Sequence, residues 1–181
     1  CRNRCHECAR MIVAAAGASS RMGDWKPLLP CRGSTVVETT VAAARAAGLE
    51  AIVVAGHRGD ELSDLFAGRP GVRVVMNAAW RTGMASSMLA GLAAARGAAV
   101  FLMHADLPLV EASVYGILAA ERRRRLAAGE PDRPLAAAFC GRAGHPVLVP
   151  REAALAAARE ASSGAAAGPG GSDGGSLRAA F

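Results

Sequence analysis

Apolar residues fall in continuous runs rather than in alternation. The runs are 11–15 (Met-Ile-Val-Ala-Ala), 51–55 (Ala-Ile-Val-Val-Ala) and 98–103 (Ala-Ala-Val-Phe-Leu-Met), with 72–76 (Val-Arg-Val-Val-Met), broken by Arg73, as a further strand between them. Runs of this length predict strands covered on both faces, as in a parallel sheet. Helical signals lie between them. Ser34 and Thr35 can cap a helix, and Glu38, three residues after Thr35, completes a capping box. That helix is expected to run through Val41 to Ala47 and stop at Gly48, a C-terminal glycine. Further helices are expected from about Gly59 to Phe66, over 84–95, over 111–128 and over 151–161, with a turn at 68–71. Two more strands are expected at 135–139 and 146–149; a tight turn entering an edge strand is one reading of Gly144 and Pro146, and it leaves His145 free. Strands alternating with helices predict an α/β domain in three layers with a doubly wound, mostly parallel sheet. Ligands in such sheets bind beyond the carboxyl ends of the strands. The loops after the first, third and fourth strands are therefore expected to share one site.

Composition refines this picture without changing it. At 181 residues the chain suits one domain. Residues 1–9 read as an unstructured leader, 10–161 as the domain, and 162–181 as a flexible or incomplete C-terminal segment, since 162–176 is nearly all Gly, Ala and Ser. Much of the apolar fraction is Ala and aromatics are only 4%, so the core is expected to be Ala, Val and Leu between closely packed helices. No apolar run approaches the ~18 residues of a membrane span, and no secretory signal is visible. A cytoplasmic protein with no membrane partner is the expectation.

The 21 Lys and Arg against 15 Asp and Glu leave a net charge of +6, which suits an anionic small molecule or nucleic acid. The densest basic run, Arg122-Arg123-Arg124-Arg125, has a helical pattern without interleaved aromatics. It reads as a solvated helix face, and no nucleic-acid partner is expected. Cys1, Cys5 and Cys8, with His6 among them, have the spacing of a cluster or zinc site. They also fit a leader upstream of the first strand, which is the reading adopted. Cys31 and Cys140 read as isolated thiols.

The loop after the first run carries the most chemistry. It reads Ala14-Ala15-Ala16-Gly17-Ala18-Ser19-Ser20-Arg21-Met22-Gly23-Asp24-Trp25-Lys26-Pro27-Leu28-Leu29-Pro30. Small residues let backbone N–H groups approach phosphate oxygens, and Arg21 and Lys26 would balance their charge. An ordinary strand-to-helix loop with solvated cations would look similar. The Walker and dinucleotide patterns do not fit, because Gly23 is followed by Asp24 and Gly17 has no second Gly two residues on. Taken whole, Ala-Ala-Gly-x-Ser-x-Arg-Met-Gly-x-x-Lys-x-Leu-Leu-Pro resembles the signature loop of nucleotidyltransferases that handle molybdenum cofactor, the family related to molybdopterin-guanine dinucleotide synthases. It most resembles the cytidylyltransferase branch.

The resemblance covers about residues 11–150 and implies a Rossmann-like nucleotidyltransferase fold. It assigns nucleotide binding to Ala14, Ala15, Ala16, Gly17, Arg21 and Lys26. The segment Ala105-Asp106-Leu107-Pro108-Leu109-Val110 resembles the family's metal motif, with Asp106 as a ligand for Mg²⁺; by itself Asp106 would suit a turn before Pro108. Residues 77–92 resemble an Asn-x-x-x-x-x-Gly-Met-x-x-Ser segment, implying Asn77 at the nucleobase or ribose and Gly83, Ser86 and Ser87 near the substrate. Trp80 either stacks on a flat ring or packs over the sheet. Gly141-Arg142-Ala143-Gly144-His145-Pro146 resembles a Gly-x-x-Gly-His-Pro segment, implying Arg142 and His145 at the acceptor's phosphate. His104 stands where relatives have an apolar residue; it is a strand-end histidine or an added metal or phosphate contact. His57 reads as a loop histidine.

Two departures stand out. Relatives carry Gly-Asp-x-Gly-Ala-Arg late in the chain, where this chain has Ser172-Asp173-Gly174-Gly175-Ser176-Leu177-Arg178. Asp173 as a second metal ligand is thus weakly matched. Relatives also continue into a terminal strand and helix, so truncation is expected. The resemblance implies Mg²⁺-dependent transfer of CMP from CTP to a molybdopterin-type cofactor, with Arg21, Lys26 and Asp106 at the reacting phosphates and a recipient molybdoenzyme downstream. CTP is expected over GTP because Ala16 stands where relatives using GTP have Gly. Two rivals are the same fold acting on a sugar or alditol phosphate, and a non-catalytic maturation factor that carries the cofactor.

Overall fold

A computed structural model of the chain describes residues 10–18 and 24–164. Strand β1 (Arg10–Ala14) leads through a 3-10 turn (Lys26–Leu28) into a small antiparallel pair, β2 (Pro30–Cys31) and β3 (Ser34–Thr35). Then follow α1 (Val36–Ala46), β4 (Glu50–Ala55), α2 (Gly59–Phe66), β5 (Val72–Met76), a 3-10 turn (Trp80–Thr82), α3 (Met84–Ala94) and β6 (Ala99–His104). The chain continues through α4 (Ala112–Ala127), β7 (Leu135–Phe139), β8 (Arg142–Pro150) and α5 (Arg151–Gly164).

The six-stranded sheet has the order β5-β4-β1-β6-β8-β7. The first four strands are mutually parallel, and β8 runs antiparallel to both β6 and β7. Each of β1, β4 and β6 serves two cores. On one face Met11, Val13, Val53, Phe101 and Met103 pack with α1, α2 and α4 through Val37, Val41, Leu62, Phe66, Tyr115 and Leu118. On the other, Ile12, Ile52, Val54, Val100 and Leu102 pack with α3 and α5 through Met88, Leu92, Ala154 and Leu155. A strand sends successive side chains to opposite faces, so a strand buried on both faces must be apolar throughout. Gly91 lets α3 lie against β1: a Cβ there would stand 2.5 Å from Ile12 Cγ2.

The capping box forms as expected. Glu38 N–H donates to Thr35 Oγ1, and Glu38 Oε2 accepts from the Thr35 amide. Burial opposes ionisation of Glu38. Hydrogen bonds from Ser34, Thr35 and Arg69 outweigh it and hold the carboxyl at about 2.

Four expectations need correction. The β2–β3 pair was not anticipated; two-residue strands leave no periodicity, and the turn between them uses Arg32 and Gly33 at positive φ. Strand β8 is longer than expected and is not at the edge: β7 is. The tight turn is Cys140-Gly141, both at positive φ, and Gly144 and Pro146 lie inside the strand instead of before it. The β7–β8 register shifts between Ala136 and Ala138, so the missing Pro146 N–H falls at an irregularity of the ladder. Helix α5 reaches Gly164, taking in Ser162 and Ser163 that composition had assigned to a flexible segment. Finally, the basic run is not simply solvated. Arg122 is buried and forms a two-pronged ion pair with Asp132 at 2.9 and 2.6 Å, while Arg124 and Arg125 share Glu121. One residue in such a run faces inward because the helical period turns it there. Cys31 is half-buried, Cys140 is exposed, and both are free thiols.

Among the described residues, no helix is long and apolar enough to cross a membrane. Arg21, Asp173 and the Cys1, Cys5, Cys8 leader lie outside the described residues.

Candidate active site

The loops at the carboxyl ends of β1, β5 and β6 surround a cleft of about 680 Å³. Residues 14–18 form one wall, and Lys26 and Pro27 close it at one side. Trp80, Arg81, Gly83, Met84 and Ser87 form the wall that follows β5, and His104, Ala105 and Asp106 form the wall that follows β6. The convergence of three loops matches the sequence expectation.

Asp106 is held through its neighbour. Ala105 N–H donates to Ala14 O at 3.1 Å, and the buried Thr40 hydroxyl bridges from α1 to Ala105 O at 3.1 Å. The Asp106 carboxylate therefore leaves a fixed backbone at the end of β6. Lys26 Nζ approaches its Oδ2 at 3.4 Å, with the two side chains 37% and 45% exposed. An ion pair this open contributes about 0–1 kcal/mol. Either partner can exchange the other for a phosphate or a cation at little cost.

Gly83 caps α3 with φ 116° and no side-chain hydrogen bond at the cap. The first-turn N–H groups of α3 thus border the cleft, where they favour an anion. Asn77 is 7% exposed and faces this helix. Its Oδ1 accepts from Ala79 N–H, and its Nδ2 donates to Ser86 Oγ at 2.9 Å and Ser87 Oγ at 3.1 Å. The amide is spent on bracing the loop against α3, and Asn77 is not part of the cleft wall. Ser86 Oγ turns to the carbonyls of Ala79 and Gly83, leaving Ser87 to face the cleft.

His104 and His145 meet edge to face, with ring centroids 4.5 Å apart. The β6–β8 register explains it: Leu102 opposes Val147, and two more antiparallel steps set His104 opposite His145. Burial, with the neighbouring His104, pushes His145 below the usual histidine range, and Asp106 partly opposes the shift. Only His104 of the pair lines the cleft. Arg142 lies farther out on β8, exposed, opposite Phe139.

Sequence reasoning missed a cluster behind the first loop. The His57 ring sits between Trp25 and Trp80, at 5.9 and 5.6 Å. Arg58 lies over Trp25 and Arg81 over Trp80. His57 is therefore not a free loop histidine, and Trp80 packs on it while lining the cleft. Its position just beyond the 51–55 run, at a strand's carboxyl end, was the available signal. Residues 25, 57 and 80 have no spacing that announces a cluster.

Comparison with known proteins agrees with this architecture. Residues 11–170 match the MobA-like NTP transferase domain. The chain is 30% identical over 138 residues to the molybdenum cofactor cytidylyltransferase of Escherichia coli (strain K12), spanning 76% of this chain and 68% of that protein. It is 31% identical over 151 residues to the nicotine blue oxidoreductase of Paenarthrobacter nicotinovorans, spanning 78% of this chain and 71% of that protein. A solved nucleotidyl transferase from Methanothermobacter thermautotroptrophicus superposes with a TM-score of 0.68 at 29% identity, covering 84% of this chain and 76% of that one. The parallel sheet, the small-residue loop after β1 and the matched residues together identify the chain as a member of the MobA-like NTP transferase domain family, a family of nucleotidyltransferases.

Proposed function

We propose that this chain transfers CMP from CTP to the phosphate of a molybdopterin-type molybdenum cofactor, releasing pyrophosphate. The observation that carries the transfer reading is the meeting of Lys26 and Asp106 in one cleft beneath the small-residue loop 14–18. The identity of the acceptor draws on the cytidylyltransferase relative. In the reaction an acceptor phosphate oxygen attacks the α-phosphorus in line. The bond from that phosphorus to the bridging oxygen breaks, and pyrophosphate leaves with the electron pair. No covalent enzyme intermediate is needed, so the protein's work is positioning and charge stabilisation.

Lys26 carries a positive charge to the leaving phosphates, and Arg21 is the second cation of the same loop. The α3 start at Gly83 and the Ser87 hydroxyl suit the acceptor's side of the cleft. Arg142 and His145 approach from β8, with His104 between His145 and the cleft. Asn77 supports this wall from behind.

The donor set fits Mg²⁺. Asp106 is a hard oxygen ligand on a fixed strand end, and among the described residues no group of three or more His, Cys, Asp or Glu is arranged to hold a metal. Magnesium characteristically takes one or two carboxylates, with waters and substrate phosphates filling its shell. When bound, it would neutralise charge on the phosphates. Asp106 would hold it, and Asp173 is the candidate second carboxylate.

CTP is proposed over GTP because Ala16 is 4% exposed and lines the cleft. Its methyl narrows the space for a two-ring base. The test is pyrophosphate release with CTP, Mg²⁺ and the isolated cofactor. Release that depends on all three supports the proposal. Release only with a sugar or alditol phosphate reassigns the acceptor, and cofactor binding without turnover would make the chain a carrier that delivers cofactor to a molybdoenzyme.

A further inference from the structure

Two consecutive carbonyls of the loop after β1 are fastened on the same side. His57 N–H donates to Ala16 O at 3.1 Å, and the Trp25 indole Nε1–H donates to Gly17 O at 2.9 Å. Both peptide bonds are trans. In a trans peptide the C=O and the N–H of the next residue point in opposite directions across a rigid plane. Gly17 N–H and Ala18 N–H are therefore turned away from His57 and Trp25. His57 follows β4, which borders β1 on one side, and β6 borders it on the other. The strand order places His104, Ala105 and Asp106, which line the cleft, on the side of β1 opposite His57.

Among the described residues, the hydrogen bond from Trp25 is what fastens the Gly17 carbonyl. No described atom lies within 4 Å of where a Cβ on Gly17 would stand, and a glycine peptide has wide conformational freedom. Trp25, by contrast, is 5% exposed and is braced edge-on by His57, which is braced in turn by Trp80. A buried indole N–H needs an acceptor, and here that acceptor is the Gly17 carbonyl.

We propose that Trp25 is a positioning residue for the phosphate loop: its indole, backed by the His57 ring, locks the Gly17 peptide plane so that the Gly17 and Ala18 amides receive the oxygens of a polyphosphate. Two adjacent N–H groups aimed one way form an anion-binding concavity. The inference rests on the nucleotide reading above, not on the identity of the acceptor.

The experiment uses inorganic tripolyphosphate, which needs no acceptor, and the Trp25→Phe variant, which keeps a ring but removes the N–H. In the wild type, tripolyphosphate is expected to shift the Gly17 and Ala18 amide resonances in ¹H–¹⁵N spectra. In Trp25→Phe its Kd is expected to rise roughly tenfold, the scale of one hydrogen bond, with smaller shifts at both amides, measured below the lowered Tm that a smaller buried ring brings. A purely structural Trp25 would lower Tm and leave the affinity of the folded protein unchanged. Equal affinity in the two proteins overturns the role of Trp25 and leaves the nucleotide reading standing. A wild type that does not bind tripolyphosphate overturns both. If the variant fails to fold, the wild-type spectra decide: unshifted Gly17 and Ala18 amides overturn the proposal.

Discussion

Lys26 Nζ stands 3.4 Å from Asp106 Oδ2, although 80 positions separate the two residues in the chain. The pair joins the loop after β1 to the end of β6, neighbouring parallel strands whose carboxyl ends open into one cleft. It brings the candidate phosphate cation and the candidate metal ligand together.

Because this pair is half-exposed, Lys26→Ala is expected to leave Tm within a few degrees of wild type while lowering kcat by roughly 10²–10³-fold, the scale of one preorganised charge-stabilising group. Steady-state pyrophosphate release and a thermal melt check both halves. Turnover within a few-fold of wild type would remove Lys26 from the reacting phosphates.

Asp106→Asn keeps the shape and loses the charge. The expected outcome is loss of Mg²⁺-dependent turnover with the fold intact, since the Ala105 clamp to Ala14 and Thr40 does not involve the side chain. A metal titration of activity superimposable on wild type would make Asp106 a turn residue.

Ala16→Gly removes one methyl from a residue of the cleft wall. A methyl discriminates by only about 1–3 kcal/mol, or roughly 10–200-fold. The ratio of kcat/KM for CTP to that for GTP is expected to fall within that range on substitution. A wild-type preference for GTP would sink the assignment of CTP; an unchanged ratio in the variant would sink only the part given to Ala16.

Gly91→Ala is expected to destabilise the protein by about 1–3 kcal/mol, the usual cost of overpacking a core. The added Cβ would meet Ile12 Cγ2 at 2.5 Å, and β1 cannot retreat because it is paired on both sides. Denaturant unfolding measures the loss. A stability equal to wild type would mean that α3 lies farther from the sheet.

Glu38 ties stability to acid pH. Its carboxyl is held at about 2 in the fold against an ordinary 4.5. The folded state therefore favours the ionised form, and the contribution is complete above about 4.5. It is lost as pH falls from there toward 2. Glu38→Gln is expected to lower Tm at pH 7 and to flatten the decline of Tm between pH 5 and pH 3. Parallel Tm profiles for the two proteins would assign the acid limb to other groups.

The sequence by itself determined the elements and the loops that carry chemistry. Continuous apolar runs marked β1, β4 and β6 because strands buried on both faces leave no room for polar alternation. The Thr35–Glu38 box and Gly48 marked the ends of α1 because helix termini have unsatisfied backbone groups that only certain residues serve. Motif residues placed Lys26 and Asp106 in loops at the ends of strands, which the parallel sheet then brings together. Tertiary structure alone decided what depends on register and on facing surfaces. The antiparallel register of β6 and β8 put His104 against His145. The order β4-β1-β6 put His57 behind the loop, where Trp25 and Trp80 close on it from sequence positions with no common period. Asn77 braces the loop after β5, because its amide reaches the α3 hydroxyls. Arg122 looked solvated and is buried, because its helix presents one arginine of four to Asp132. Local patterns report what each residue's own element requires. Which partner a side chain finds across elements is fixed only when the strands choose their order and register.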